Sequence, residues 1–197
     1  MKTLLTLLLP LIFGTTIYGQ VISYDDFKII IPFLQKEDYK STFEKTTQLL
    51  TTTENDSSDM RGIVTYMNIF SAAGMVTLDQ MSHAEFLKNS NKFISQYIVM
   101  SAHPCVDSSK QGFNSLKFVT QEGEIQGSTT SSNNAKTNIL CFEYFKYAEP
   151  IVPSEFIGKN VRCGGTLTSV EVNQNKSKVW ISRLHISKAF ARVMTPR

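Results

Sequence analysis

The spacing of apolar residues changes period near residue 95, and that change decides which fold classes are open to this chain. Upstream, Phe27, Ile30, Ile31 and Leu34 recur at helical intervals, as do Tyr39, Phe43, Thr46 and Leu50. Ile63, Tyr66, Met67 and Phe70 mark a third segment, and Phe86, Leu87 and Phe93 a fourth. These intervals gather apolar groups on one face of a 3.6-residue helix. Downstream the runs are short and rich in β-formers: Tyr97 to Met100, Leu116 to Thr120, Asn138 to Phe145, Val161 to Val172 and Lys178 to Ile186. The chain therefore reads as α+β, helices first and strands after. A hydrophobic fraction of 42% with 19% charged residues excludes a disordered tail.

Local signals refine the two halves. Pro32 starts the first helix late or kinks it. The polar stretch from Thr51 to Ser58 separates two helical pairs, and Asp59 is a fair N-cap for the third segment. Residues 127–135 have little to bury and predict a mobile loop. Asn173 to Ser177 reads as a hairpin turn, and Pro153-Ser154-Glu155 as a short helix start. Ahead of both halves, Lys2, the Leu-rich run from Thr3 to Phe13 and the small, polar exit to Gly19 have the order of a cleavable leader. The run is about half of the roughly 20 residues that span a bilayer. Residues 1–19 are thus expected to be a signal peptide, leaving a secreted or periplasmic protein that starts at Gln20 and has no transmembrane segment. The expected division is 20–94 helical and 95–197 β.

An internal echo supports the helical division. Asp38-x-x-Ser41-x-x-Glu44 returns as Asp79-x-x-Ser82-x-x-Glu85, and Ser followed by Glu three residues later is capping-box spacing. Leu34-Gln-Lys-Glu-Asp-Tyr39 and Tyr66-Met-Asn-Ile-Phe-Ser-Ala-Ala-Gly74 resemble the turn and first helix of a degenerate tetratricopeptide-type array over residues 24–94. That resemblance implies antiparallel helical hairpins stacked on one another. In the second half, three strands, a short helix and two strands follow the order of an oligonucleotide/oligosaccharide-binding (OB) barrel. Phe156 to Leu167 followed by Lys178-Val-Trp-Ile-Ser182 resembles exported OB-like domains. This implies a small, mainly antiparallel barrel with Gly164-Gly165 bending one strand.

Charge is unevenly placed. Residues 151–197 carry eight basic residues against two acidic, a net +6, and residues 21–150 carry a net −4. Lys178 and Trp180 alternate with Val179 and Ile181 and share a strand face with Ser182. A Trp flanked by cations suits a ligand face, so Lys178, Trp180, Arg183 and Arg162 are the candidate ligand-binding residues. Such a basic face can meet polysaccharide, acidic lipid or the acidic helical half of the same chain.

Catalytic chemistry finds little footing. There is no Gly-x-Ser-x-Gly elbow and no phosphate-binding glycine loop, so no catalytic set and no cofactor are expected. His83, His103 and His185 are far apart, and no set of residues has metal-ligand spacing. Cys105, Cys141 and Cys163 lie in or beside apolar runs, as free thiols or with one pair bridged. The expected function is a non-enzymatic exported binding or adaptor protein working through protein–protein or envelope and glycan contacts. A protein or cell-envelope partner is expected in preference to nucleic acid. The rival is a periplasmic hydrolase or thiol-dependent enzyme using His103, Cys105 or Cys163.

Overall fold

Pro32 divides the first apolar segment in two. The computed structural model describes residues 21–195 apart from Asn55, Gln111, Glu122 and Lys176, so the expected leader lies outside the described residues. Helix α1 (Tyr24–Lys28) ends before the proline, and α2 (Ile31–Gln35) carries it in its first turn, where its missing N–H costs nothing. They are followed by α3 (Tyr39–Thr52), α4 (Asp59–Thr77) and α5 (His83–Ser90). Ser58, one residue before the expected Asp59, caps α4 by accepting from the Arg61 N–H (3.2 Å). The two copies of the repeat turn out to be used in different registers. Ser82 and Glu85 form a complete capping box at α5, whereas Asp38 itself caps α3 by accepting from the Ser41 N–H.

Helices α3 and α4 run antiparallel. The Asn68 amide donates to Thr46 Oγ1 (2.9 Å) midway, Arg61 donates to the Thr53 carbonyl (2.6 Å) at one end, and Gly74 meets the Tyr39 ring at the other. Among the described helices α5 also packs on α4, and strands cover much of the rest of α4. Almost all of α4 from Gly62 to Val76 is buried, which is why its apolar periodicity is weak: a helix wrapped by protein has no polar face to show.

Among the described residues there are seven strands, β1 (Tyr97–Val99), β2 (His103–Pro104), β3 (Leu116–Gln121), β4 (Glu124–Ser132), β5 (Ile139–Tyr147), β6 (Asn160–Val172) and β7 (Trp180–Val193). They form one sheet in the order β1-β6-β7-β5-β4-β3, with β2 also on β6. The expected mainly antiparallel barrel is corrected on two counts. First, β5 and β7 pair in parallel. The chain leaves β5, passes the short helical turn Pro153–Glu155, returns as β6 and folds back through the 173–177 turn as β7, filling the space between. Second, the sheet does not close. The segment just after β2 touches β3 at a single bridge, Cys105 with Leu116, and α4 packs against the strands. Residues of α4 and of the strands belong to one apolar cluster, from Tyr66 and Ile69 to Leu140, Phe145 and Leu184.

The loop expected at 127–135 is also corrected. Residues 127–132 belong to β4 and pair with β5, and 127–129 pair with β3 as well. Its polar composition misleads because Thr129 and Ser131 are buried with hydroxyl partners, and Gly127 leaves room for the Tyr147 hydroxyl. The true turn is 133–138, closed by the Thr137 N–H donating to Asn133 Oδ1 (2.9 Å). From that turn, Asn134 donates its backbone N–H to Glu37 Oε1, tying the sheet to the α2–α3 corner.

Gly74 allows the close contact of α3 with α4, since a Cβ there would overlap the Tyr39 ring. Gly74→Ala is expected to lower stability by about 1–3 kcal/mol in urea unfolding, with the cost of overpacking exceeding the gain in helix propensity.

Candidate functional site

The sheet has two unlike faces. One holds α4; on the other, side chains of β5, β6 and β7 stand in the open. Phe142 lies beside the Trp180 ring, edge to face at 6.1 Å between centroids. The Arg183 guanidinium sits 4.6 Å over the Trp180 ring, within cation–π range. One step along the strands, Tyr144 stacks on His185 at 5.3 Å with 20° between planes. Glu171 on β6 approaches both His185 Nε2 (3.2 Å) and Arg183 (3.8 Å). Gln121 and Gln126 complete a shallow hollow of about 350 Å3 with Tyr144, Glu171, Arg183 and His185. The register explains the grouping: Phe142 pairs with Arg183 and Tyr144 with His185 across β5 and β7, while Glu171 pairs with Arg183 across β6 and β7.

Of the four expected ligand residues, the fold joins Trp180 and Arg183 and separates the others. Arg162 pairs across with Arg192, nine residues beyond Arg183 on β7, or about 30 Å along the strand. Lys178 forms an ion pair with Asp79 just beyond the end of α4. Arg192 reaches Asp59 at the start of the same helix (3.5 Å). Two cations of the basic tail are thus met by acids of the helical half. The expected face shared by Trp180 and Ser182 is corrected too. Ser182 is fully buried and donates to the Leu140 carbonyl (2.9 Å), whereas the Trp180 ring lies with Phe142 and Arg183.

Behind the sheet lies a group that the sequence reading passed over. Glu143 on β5 is fully buried under α4. Tyr66 Oη of α4 donates to its Oε1 (2.7 Å), and Thr129 Oγ1 of β4 donates to Oε2 (2.5 Å). Ser131 Oγ of the same strand lies 3.0 Å from Tyr66 Oη. Burial raises the Glu143 carboxyl to about 7 against the lowering effect of these three hydroxyls. The pattern was available in Cys141-Phe-Glu-Tyr-Phe145: alternation places the acid on the core side with Cys141 and Phe145.

Cys105, Cys141 and Cys163 are free and buried. Burial raises all three thiols, Cys163 to about 12, and the same effect lowers the His103 imidazole. The conditions that make a thiolate nucleophile are therefore reversed at each one. Among the described residues no group of three or more His, Cys, Asp or Glu is placed to hold a metal ion, and no helix is long and apolar enough to cross a membrane. A larger hollow of about 410 Å3 beside α3 and α4 is lined by Arg61 and Asn68, whose Nη1 and amide nitrogens donate to carbonyls and hydroxyls of α3 and its C-terminal end. Comparison with protein families, with curated proteins and with solved structures finds no match for this chain.

Two outcomes are expected. The unfolded chain loses the Glu143 proton near pH 4.5 and the folded chain only near 7. Between these values the folded state holds the extra proton, so stability falls as pH rises, by about 3 kcal/mol once pH exceeds 7. Relative to the parent, Glu143→Gln should therefore gain stability between pH 4.5 and 8 by about that amount in denaturant titrations. Native protein treated with a thiol reagent should label at none of the three cysteines until it is unfolded, and rapid native labelling at any of them would restore thiol chemistry as an option.

Proposed function

We propose that this chain is an exported, non-enzymatic binding protein that takes a cell-envelope glycan on the outer face of its sheet. The observation that carries the reading is the Trp180–Phe142–Arg183 cluster beside the Tyr144–His185 stack. Ring faces accept the C–H faces of sugars, and planar side chains such as Gln121, Gln126, Glu171 and Arg183 pair with their hydroxyls in two-point hydrogen bonds. An open, shallow hollow fits a polymer better than an enclosed metabolite. The leader-like residues 1–19 favour a ligand met outside the cytoplasm, and the raised thiols disfavour the thiol-dependent alternative. Docking of the whole basic tail on acidic lipid is also disfavoured, since Lys178, Arg183 and Arg192 each have an acidic partner.

Trp180 is the only tryptophan, so intrinsic fluorescence reports on this face alone. Titration with soluble peptidoglycan or capsular fragments is expected to shift and quench that emission. Trp180→Ala and Arg183→Ala should each weaken binding about tenfold or more, measured by calorimetry, with unfolding midpoints little changed. Unaltered fluorescence across such a panel, with a protein captured through the same face instead, would sink the glycan reading.

A further inference from the structure

The hollow of about 410 Å3 beside α3 and α4 has room for more than a ring, since a cavity of about 150 Å3 already admits benzene. Its apolar surface comes from Phe43 and Leu50 of α3 and from Phe93 just after α5. Neutral polar groups line it as well: the hydroxyls of Thr47 and Thr51 and the amides of Asn68, Asn89 and Gln96. Together these offer both donors and acceptors, so they do not choose between kinds of ligand. The charged side chains do, and these are Arg61, Lys92 and Glu54.

None of the three forms an ion pair with a described residue, and two cations against one acid leave the hollow net positive. Arg61 is held from one side. Its Nη1 donates to the Leu50 carbonyl (3.1 Å) and to the carbonyl (2.6 Å) and hydroxyl (3.0 Å) of Thr53. Its Nη2 and Nε have no hydrogen-bond partner among the described residues. The Lys92 ammonium uses one of its donors on Asn89 Oδ1 (3.0 Å). Both cations thus keep donors free beside apolar surface, and the guanidinium is already ordered, so binding there costs little side-chain entropy. Asp56 also acts on Arg61 electrostatically but borders an adjoining hollow, where its carboxylate accepts from the Ile22 and Ser58 N–H groups.

We propose that this hollow binds a small organic monocarboxylate with an apolar body, of which 4-phenylbutyrate is a convenient example. The ring and chain lie against Phe43, Leu50 and Phe93, and the carboxylate turns to the free donors of Arg61 and Lys92. Hydrogen bonds between a carboxylate and these cations are charge-assisted and stronger than those of a neutral ligand. An ammonium in the same place meets two like charges and a single acid. The site shares no residue with the hollow on the outer face of the sheet and does not depend on what that face binds.

The test is calorimetry on the full chain with three probes that share one ring and chain length: 4-phenylbutyrate, 4-phenylbutanamide and 4-phenylbutylamine. The carboxylate is expected to bind about tenfold more tightly than the amide, and the amine more weakly than either. Added salt should weaken the carboxylate and leave the amide unchanged. Lys92 is exposed, so Lys92→Gln should keep the fold while weakening the carboxylate about threefold and sparing the amide. Glu54→Gln, also at an exposed position, should strengthen the carboxylate. Thr51→Trp, which fills the hollow from α3, should abolish binding of both. The proposal is overturned if no probe binds up to its solubility, if carboxylate and amide bind equally, if neither charge substitution moves the carboxylate, or if folded Thr51→Trp binds like the parent. The three-probe comparison on the parent protein needs no variant to fold.

Discussion

The hydrogen bond from Tyr66 to Glu143 fixes the helical layer on the sheet. Apolar contact alone would hold α4 on the sheet while leaving its rotation and depth loosely set, because Val, Ile and Met surfaces are interchangeable. A buried carboxyl lacks that tolerance. It must find donors, and here they come from α4 through Tyr66 and from β4 through Thr129. Sliding α4 by one residue would take Tyr66 from the carboxyl and leave Oε1 without its donor, at a cost of about 1–3 kcal/mol. Glu143 is thus expensive for stability above neutral pH while it specifies one arrangement of helix and sheet.

That arrangement also sorts the surface. With one side of the sheet committed to α4, the outward positions of β5 and β7 are free of core duty and carry Phe142, Tyr144, Arg183 and His185. The same strands supply Glu143 inward and the aromatic cluster outward, one residue apart. The ion pairs of Lys178 and Arg192 with Asp79 and Asp59 fasten the two ends of β7 to the two ends of α4. They explain why an acidic half and a basic half coexist in a chain of small net charge.

Much of this was legible in the sequence, and the failures have physical causes. Helical and strand regions followed from apolar period, and the 173–177 turn from its composition. The barrel did not follow, since strand order along the chain says nothing of which strands pair, and the parallel union of β5 with β7 depends on contacts about 40 residues apart. Residues 127–135 misled because Ser and Thr, usually signs of solvent, are here the hydroxyl partners of a buried acid. Trp180 and Arg183 lie together in the fold, whereas Arg162 and Lys178, grouped with them by charge alone, lie elsewhere. Charge carries no information about distance along a strand 14 residues long.

The position of β7 has a consequence for how the molecule comes into being. A strand made last among those described fills a slot between β5 and β6, and until it arrives β5 has one unpaired edge and β6 is left without its main partner. During synthesis the growing polypeptide therefore lacks the piece that completes its sheet until residue 193 has emerged. The earlier strands wait as an incomplete template with long-range contacts still to be made, so folding is slow and late. A chain with this connectivity stays pliable until the β7 segment has emerged and taken its place between β5 and β6.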